Sequence, residues 1–225
     1  KAVKIYTEIK KEYPHLQYLN IGGGFPIRNS IHSDYNYEYM IEEIVKNILG
    51  ECREAGVEEP DIFTEFGKYT VGESGAMIFT VLQEKLQNDS ELWYMINGSL
   101  MTTLPDTWGI GERFILLPIN HWHNEYKRIN VGGISCDQQD YYNSEVHANQ
   151  VYLPKLNGSG KGPLHIGFFH VGAYQESLSG YGGTKHCLLP SPKHVLVHGM
   201  ENGKIQSEVF AERQPVEKML ETLGY

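Results

Sequence analysis

Two short apolar stretches each run into a glycine-bearing turn, and each follows a helix-patterned segment. This alternation constrains the first third of the chain more than any other feature. Leu16–Ile21 leads into Gly22-Gly23-Gly24, and Asp61–Glu65 leads to Gly67. Ahead of the first, Ala2, Ile5, Tyr6, Ile9 and Tyr13 share one helical face until Pro14 ends the run. Ahead of the second, Tyr37, Met40, Ile41, Ile44, Val45, Ile48 and Cys52 form a stripe with acidic residues opposite, and Gly56 supplies the stop. Helix, strand, helix, strand with short connections is the rhythm of a parallel α/β sheet or barrel.

From about Ala76 the pattern changes. Strand-like runs follow one another at Met77–Leu82, Leu92–Ile96, Phe114–Leu117, Ile129–Ile134, Leu164–Phe169 and His194–His198. Turn-rich links such as Asn157–Gly160 and Gly199–Gly203 separate them, and a closing helix is expected near Gln214–Leu223. The expected architecture is therefore α/β followed by a mainly β domain, with residues 1–76 in the first and 77–225 in the second.

Composition narrows the function classes. A formal net charge of −9 argues against a nucleic-acid partner. No run of about 18 apolar residues is present, so no membrane-crossing helix is expected. The charged, helix-patterned first residues do not read as a signal peptide. The chain lacks an initiator Met and reads as beginning inside a domain. Cys52, Cys136 and Cys187 are too widely spaced for a disulfide framework or a CxxC metal site, which fits a reducing cytoplasm.

Four motifs carry chemistry. The triple glycine after a strand lets bare backbone amides approach a phosphate, although such turns also serve purely structural ends. Glu65-Phe-Gly67-Lys68 places a carboxylate and a cation at a strand end, where barrels keep their active sites; a surface ion pair is the alternative. Gly133-Ile-Ser-Cys136-Asp137 sets a thiol beside a carboxylate, or simply a buried small hydrophobe. Val171-Gly-Ala-Tyr174 flanks a phenol with small residues, or seats a core tyrosine.

In this order the four resemble the fold-type III decarboxylases dependent on pyridoxal phosphate (PLP), which include the ornithine, diaminopimelate and biosynthetic arginine decarboxylases. That family carries Gly-Gly-Gly, Glu-Pro-Gly-Arg, Cys-Asp or Cys-Glu, and Gly-Ala-Tyr segments. The resemblance covers essentially the whole chain and implies the C-terminal part of a PLP-binding (β/α)8 barrel followed by a sandwich- or barrel-like β domain. Leu104-Pro-Asp-Thr-Trp-Gly-Ile110 and Gly172-Ala-Tyr-Gln-Glu176 resemble the arginine enzymes. Gly24-Phe25-Pro26 is nearer the ornithine and diaminopimelate branches, while Cys136-Asp137 disfavours diaminopimelate. Arginine is read first, giving agmatine and CO2 for polyamine synthesis, with ornithine the competitor.

By the resemblance, Gly22, Gly23, Gly24 and Tyr174 hold the PLP phosphate, with Gly67 and Lys68 beside them. Glu65 pairs with the pyridine nitrogen and keeps the ring an electron sink. Asp137 binds the distal cation of a basic amino acid, and Cys136 returns a proton to the substrate carbon. The last two come from a neighbouring subunit in the family, implying a homodimer or higher homo-oligomer with shared sites. Mg2+ enters by resemblance only, and no metal site is assigned.

The chain departs from the family pattern at Lys68 for Arg, which loses a bidentate fork, and at Phe66 for Pro, and it has Gln138-Gln139 where the bacterial arginine enzymes have Ser-Asp. The family's Schiff-base lysine lies upstream of the glycine turn. Ala2-Val3-Lys4 looks alike but falls on a helix, so the first part of the barrel is read as lying outside this sequence. Two other readings stay open: a non-catalytic relative that keeps the scaffold, and an α/β domain that binds another phosphorylated ligand. His121-Trp-His123 and His186-Cys187 are read as incidental pairs among 10 histidines, and Glu42, Glu43, Glu51 and Glu54 as a solvated helix face.

Overall fold

The computed structural model describes residues 1–142, 151–157, 161–179 and 185–225. The chain forms two compact units, Lys1–Ser74 and Gly75–Tyr225.

In the first unit the order is α1 (Ala2–Glu12), β1 (Tyr18–Asn20), α2 (Tyr37–Ala55), β2 (Asp61–Phe63) and α3 (Gly67–Val71). Strands β1 and β2 pair in parallel, with Leu19 opposite Ile62 and Asn20 opposite Phe63. Helix α2 starts where the Asn36 side chain accepts the Tyr39 N–H at 2.9 Å. It stops at Gly56, whose φ of 68° is the left-handed cap expected of that glycine. Tyr6, Ile48 and Cys52 are buried, with Val3, Leu16, Leu19, Ile21, Ile44 and Val57 packed around them.

Helix α1 departs from the expected stripe. It buries Tyr6, Thr7 and Lys10, whereas Ile5, Ile9 and Tyr13 are exposed. The Lys10 ammonium donates to the Leu16 carbonyl at 2.7 Å and lies 3.3 Å from the Glu58 carboxylate. The Tyr6 hydroxyl donates to the Leu16 and Glu58 carbonyls. Long stems bury their methylenes while their polar tips find partners, so this face packs inward.

The second unit contains β3 (Ala76–Gln87), β4 (Glu91–Ile96), α4 (Leu100–Thr103), α5 (Pro105–Gly109), β5 (Ile115–Pro118), β6 (Tyr126–Gly132), β7 (Val151–Pro154), β8 (His165–Phe169), α6 (Gln175–Leu178), β9 (His194–Glu201), β10 (Lys204–Ala211) and α7 (Val216–Thr222). Six strands form one mixed sheet in the order β5-β8-β3-β4-β6-β7, in which only the β4–β6 pairing is parallel. Its edge strands β5 and β7 approach one another, so the sheet is nearly closed. Tyr94, Ile96, Ile129, Val131, Ile166 and Phe168 fill the interior. Each such side chain contributes about 1.5–3 kcal/mol by leaving water. Tyr142 and Phe79 meet Phe168 edge-on, with ring centroids 4.9 and 5.8 Å away.

The expected class, α/β followed by mainly β, is the class observed. Two strands were not anticipated. β7 is a four-residue strand. β10 completes a separate hairpin with β9 across the Gly199–Gly203 link, which is therefore partly strand and partly turn. Within the expected Asn157–Gly160 link, residues 158–160 lie outside the described residues.

Candidate functional site

In the first unit, the parallel pairing of β1 and β2 brings two of the four motifs together at the C-terminal ends of adjacent strands. The Glu65 N–H donates to the Gly22 carbonyl at 2.9 Å. A residue that sequence reasoning missed, Asn20, ties the rest. Its Oδ1 accepts the Gly22 N–H at 2.7 Å, and its Nδ2 donates to Glu65 Oε1 at 2.6 Å. One amide side chain thus fixes the glycine turn and orients the carboxylate. It also occupies the Gly22 N–H that was expected to face a phosphate.

Gly22 and Gly24 hold φ of 75° and 84°, and a Cβ on Gly23 would strike the Glu65 carbonyl oxygen. Substitution anywhere in this turn is therefore strained or blocked. Gly67 and Lys68 open the short helix α3 immediately after Glu65 and Phe66. The Phe66 ring meets Phe25 edge-on at 3.6 Å between centroids, and Phe25 lies 6.1 Å from Tyr69. Phe66, in the place of the family's proline, thereby packs the second motif against the segment that follows the first. Lys4 lies on α1 and pairs with Glu51 of α2 at 3.5 Å.

In the second unit, Cys136 and Asp137 sit in a turn after β6. The Asp137 carboxylate accepts the Gln139 N–H at 2.7 Å. Cys136 Sγ lies 3.3 Å from Cys187 Sγ, and the hydrogen bond they share pushes the exposed Cys136 thiol above the ordinary thiol range. Buried Asp140 shapes the turn. Its carboxylate accepts the N–H groups of Leu100 at 2.8 Å, Met101 at 3.3 Å and Ser135 at 3.0 Å.

Tyr174 follows β8 and precedes α6, and it is exposed. Its φ of 65° puts it in the left-handed region, which a bulky residue adopts only under constraint. The constraint is visible on both sides. Gly172 lies so close to Gly75 that a Cβ on Gly75 would strike its backbone, and the Val171 N–H donates to the Gly75 carbonyl at 3.1 Å. Beyond Tyr174, buried Gln175 donates to Asp106 Oδ2 at 2.7 Å. Glu176 pairs with the buried Lys185 ammonium and with His194 Nε2 at 3.1 Å.

The helix pair α4–α5 braces both segments. Leu100 and Met101 reach Asp140, Trp108 Nε1 donates to Gln139 Oε1 at 2.6 Å, and Asp106 holds Gln175. The Leu104–Ile110 block, singled out above as arginine-enzyme-like, is thus the scaffold shared by the Cys136-Asp137 turn and the Tyr174 segment. Among the described residues, no helix is long and apolar enough to cross a membrane.

No protein-family model matches the chain. A biosynthetic arginine decarboxylase of Pelobacter propionicus is 23% identical over an alignment covering 94% of this chain and 50% of that protein. The crystal structure of the biosynthetic arginine decarboxylase of Campylobacter jejuni superposes with a TM-score of 0.80 at 22% identity, over 100% of this chain and 51% of the other. The structure of SrLDC in complex with PLP and cadaverine superposes with a TM-score of 0.60 at 21% identity, over 77% of this chain and 41% of that one. The chain spans about half the length of these relatives at most. By sequence and fold together, the chain is a relative of the fold-type III PLP-dependent decarboxylases and matches their C-terminal portion.

Proposed function

We propose that the whole protein is a PLP-dependent decarboxylase of a basic amino acid, with L-arginine the first substrate and agmatine and CO2 the products. One observation carries the reading: Asn20 fastens a bare glycine turn and the Glu65 carboxylate to each other at the ends of paired parallel strands. The cradle suits a phosphorylated pyridine. A Cβ at Gly22 or Gly24 would meet no atom within 4 Å, so the turn leaves open space beside its backbone, and Glu65 keeps one carboxylate oxygen beyond the one that Asn20 holds.

When bound, PLP supplies the electron sink that lets a carboxylate leave the substrate as CO2. In this chain, the amides of Gly23 and Gly24 offer N–H donors to its phosphate, while Gly22 shapes the turn. Glu65 accepts from the pyridine N–H and favours its protonated form, since a nearby negative charge stabilises the cation. Lys68, in α3, adds positive charge for the phosphate without the bidentate geometry of an arginine.

The second unit holds the groups proposed for the substrate. Asp137 receives the distal cation with the carboxylate oxygen that Gln139 leaves over. Cys136, held toward the thiol form, delivers a proton to the substrate carbon once CO2 has gone. A homodimer with shared sites and a cytoplasmic location complete the proposal, supported by the resemblance and by the spacing of the three cysteines.

The test supplies the full-length protein with PLP and, separately, L-arginine, L-ornithine, L-lysine and diaminopimelate, and measures CO2 and the amine product. Agmatine as the dominant product supports the reading. Putrescine moves the specificity to ornithine, and no CO2 from any of the four refutes the proposal.

A further inference from the structure

In the sequence, His186-Cys187 offers only two ligands and reads as incidental. The fold supplies a third from 51 residues upstream. The sulfurs of Cys136 and Cys187 lie 3.3 Å apart, and one ligand atom from each of Cys136, His186 and Cys187 falls within 4.8 Å of the other two. It is the one such group of metal-ligating side chains among the described residues, and all three members are exposed.

The backbone is shaped to bring these atoms together. Cys187 and Leu188 are consecutive non-glycine residues in the left-handed region, with φ of 57° and 52°. Outliers of this kind persist where the surrounding structure imposes them and gather at functional sites. The turn aims Cys187 Sγ at the Cys136 backbone N–H, which donates to it at 3.4 Å. Donors of this type support a sulfur that carries negative charge.

We propose that Cys136, His186 and Cys187 bind a single thiophilic cation, Zn2+ in the first instance, with a fourth position open to water. Bond lengths of about 2.3 Å to sulfur and 2.0 Å to imidazole nitrogen put tetrahedral ligand atoms roughly 3.3–3.8 Å apart. The observed spacing needs only small side-chain rotations to reach that. A soft donor set of two thiolates and one imidazole selects Zn2+ over the oxygen-seeking Mg2+. Binding replaces the two thiol protons, which leave to solvent, with two sulfur–zinc bonds and changes no oxidation state. Occupancy would also withhold Cys136 from proton delivery; that consequence rests on the function proposed above, whereas binding does not.

The test titrates the reduced, metal-free full-length protein with Co2+. The visible d–d bands of tetrahedral thiolate-bound cobalt lie to the red of PLP absorption. They are expected to saturate at one equivalent per chain and to be displaced by Zn2+. Cys187→Ser should abolish the bands and His186→Gln should weaken them, with circular dichroism establishing that each variant is folded. Absent bands, or bands unchanged in both folded variants, would overturn the site, as would bands seen only before full reduction. A further arm follows activity: Zn2+ should inhibit the parent protein and spare Cys187→Ser. Saturable cobalt binding without inhibition would refute the role given to Cys136 and leave the metal site standing.

Discussion

Asp140 Oδ1 accepts the Leu100 N–H at 2.8 Å across 40 positions of sequence, joining the start of α4 to the loop that carries Cys136 and Asp137. The same carboxylate takes the amides of Met101 and Ser135, so one buried acid satisfies three backbone donors. Gly133 makes room for it, since a Cβ there would occupy the carboxylate's own position.

Asp140→Ala should therefore lower stability by about 3 kcal/mol, because buried donors lose a charged acceptor and are left without water. Denaturant unfolding of the full-length protein measures it. A change under about 0.5 kcal/mol, the range of ordinary surface substitutions, would show that the carboxylate does not organise the turn.

Asn20→Ala should loosen the glycine turn and release Glu65 while leaving the strands paired. Losing about 1.4 kcal/mol of hydrogen bonding should raise the dissociation constant for PLP about tenfold. Titration of the cofactor's absorbance reads this directly, and an unchanged constant would remove Asn20 from the site.

Glu176 and Lys185 form a buried ion pair behind Tyr174. Glu176→Ala leaves a buried ammonium with one partner fewer and should cost about 3–5 kcal/mol. Replacing both, as Glu176→Leu with Lys185→Met, should cost less than the single change. Thermal unfolding compares the two, and equal losses would mean that the pair acts through packing alone.

Cys187 raises the pKa of Cys136 through the hydrogen bond they share. A raised pKa means less thiolate at a given pH, and alkylation consumes thiolate. Cys187→Ala should therefore speed iodoacetamide labelling of Cys136 at mildly alkaline pH and shift its rate profile to lower pH. Peptide mass mapping follows the label, and a slower reaction or an unmoved profile would contradict the coupling.

The local features were legible in sequence for local reasons. The glycine turn, Glu65, the Gly56 cap and most strands are written in patterns of a few adjacent residues. What was missed depends on distant pairing. Asn20 acquires its role only when β1 and β2 pair in parallel, and Asp140 acquires its role only where the start of α4, 40 residues away, meets its carboxylate. Strand β10 is exposed along most of its length, so no alternation of buried residues marks it. Helix α1 buries Tyr6 as its pattern predicts, but Lys10 also satisfies its polar tip inward while Ile5 and Ile9 stay exposed. His186 and Cys187 gained a third ligand only through the approach of Cys136.

The central claim is that the Asn20-fastened turn and Glu65 hold opposite ends of one pyridoxal ring. An experimental structure of the full-length protein with PLP tests it most directly. Phosphate oxygens about 3 Å from the Gly23 and Gly24 amides, with the pyridine nitrogen at similar distance from a Glu65 oxygen, is the expected result. A phosphate seated elsewhere, or a pyridine nitrogen facing a group other than Glu65, would contradict it.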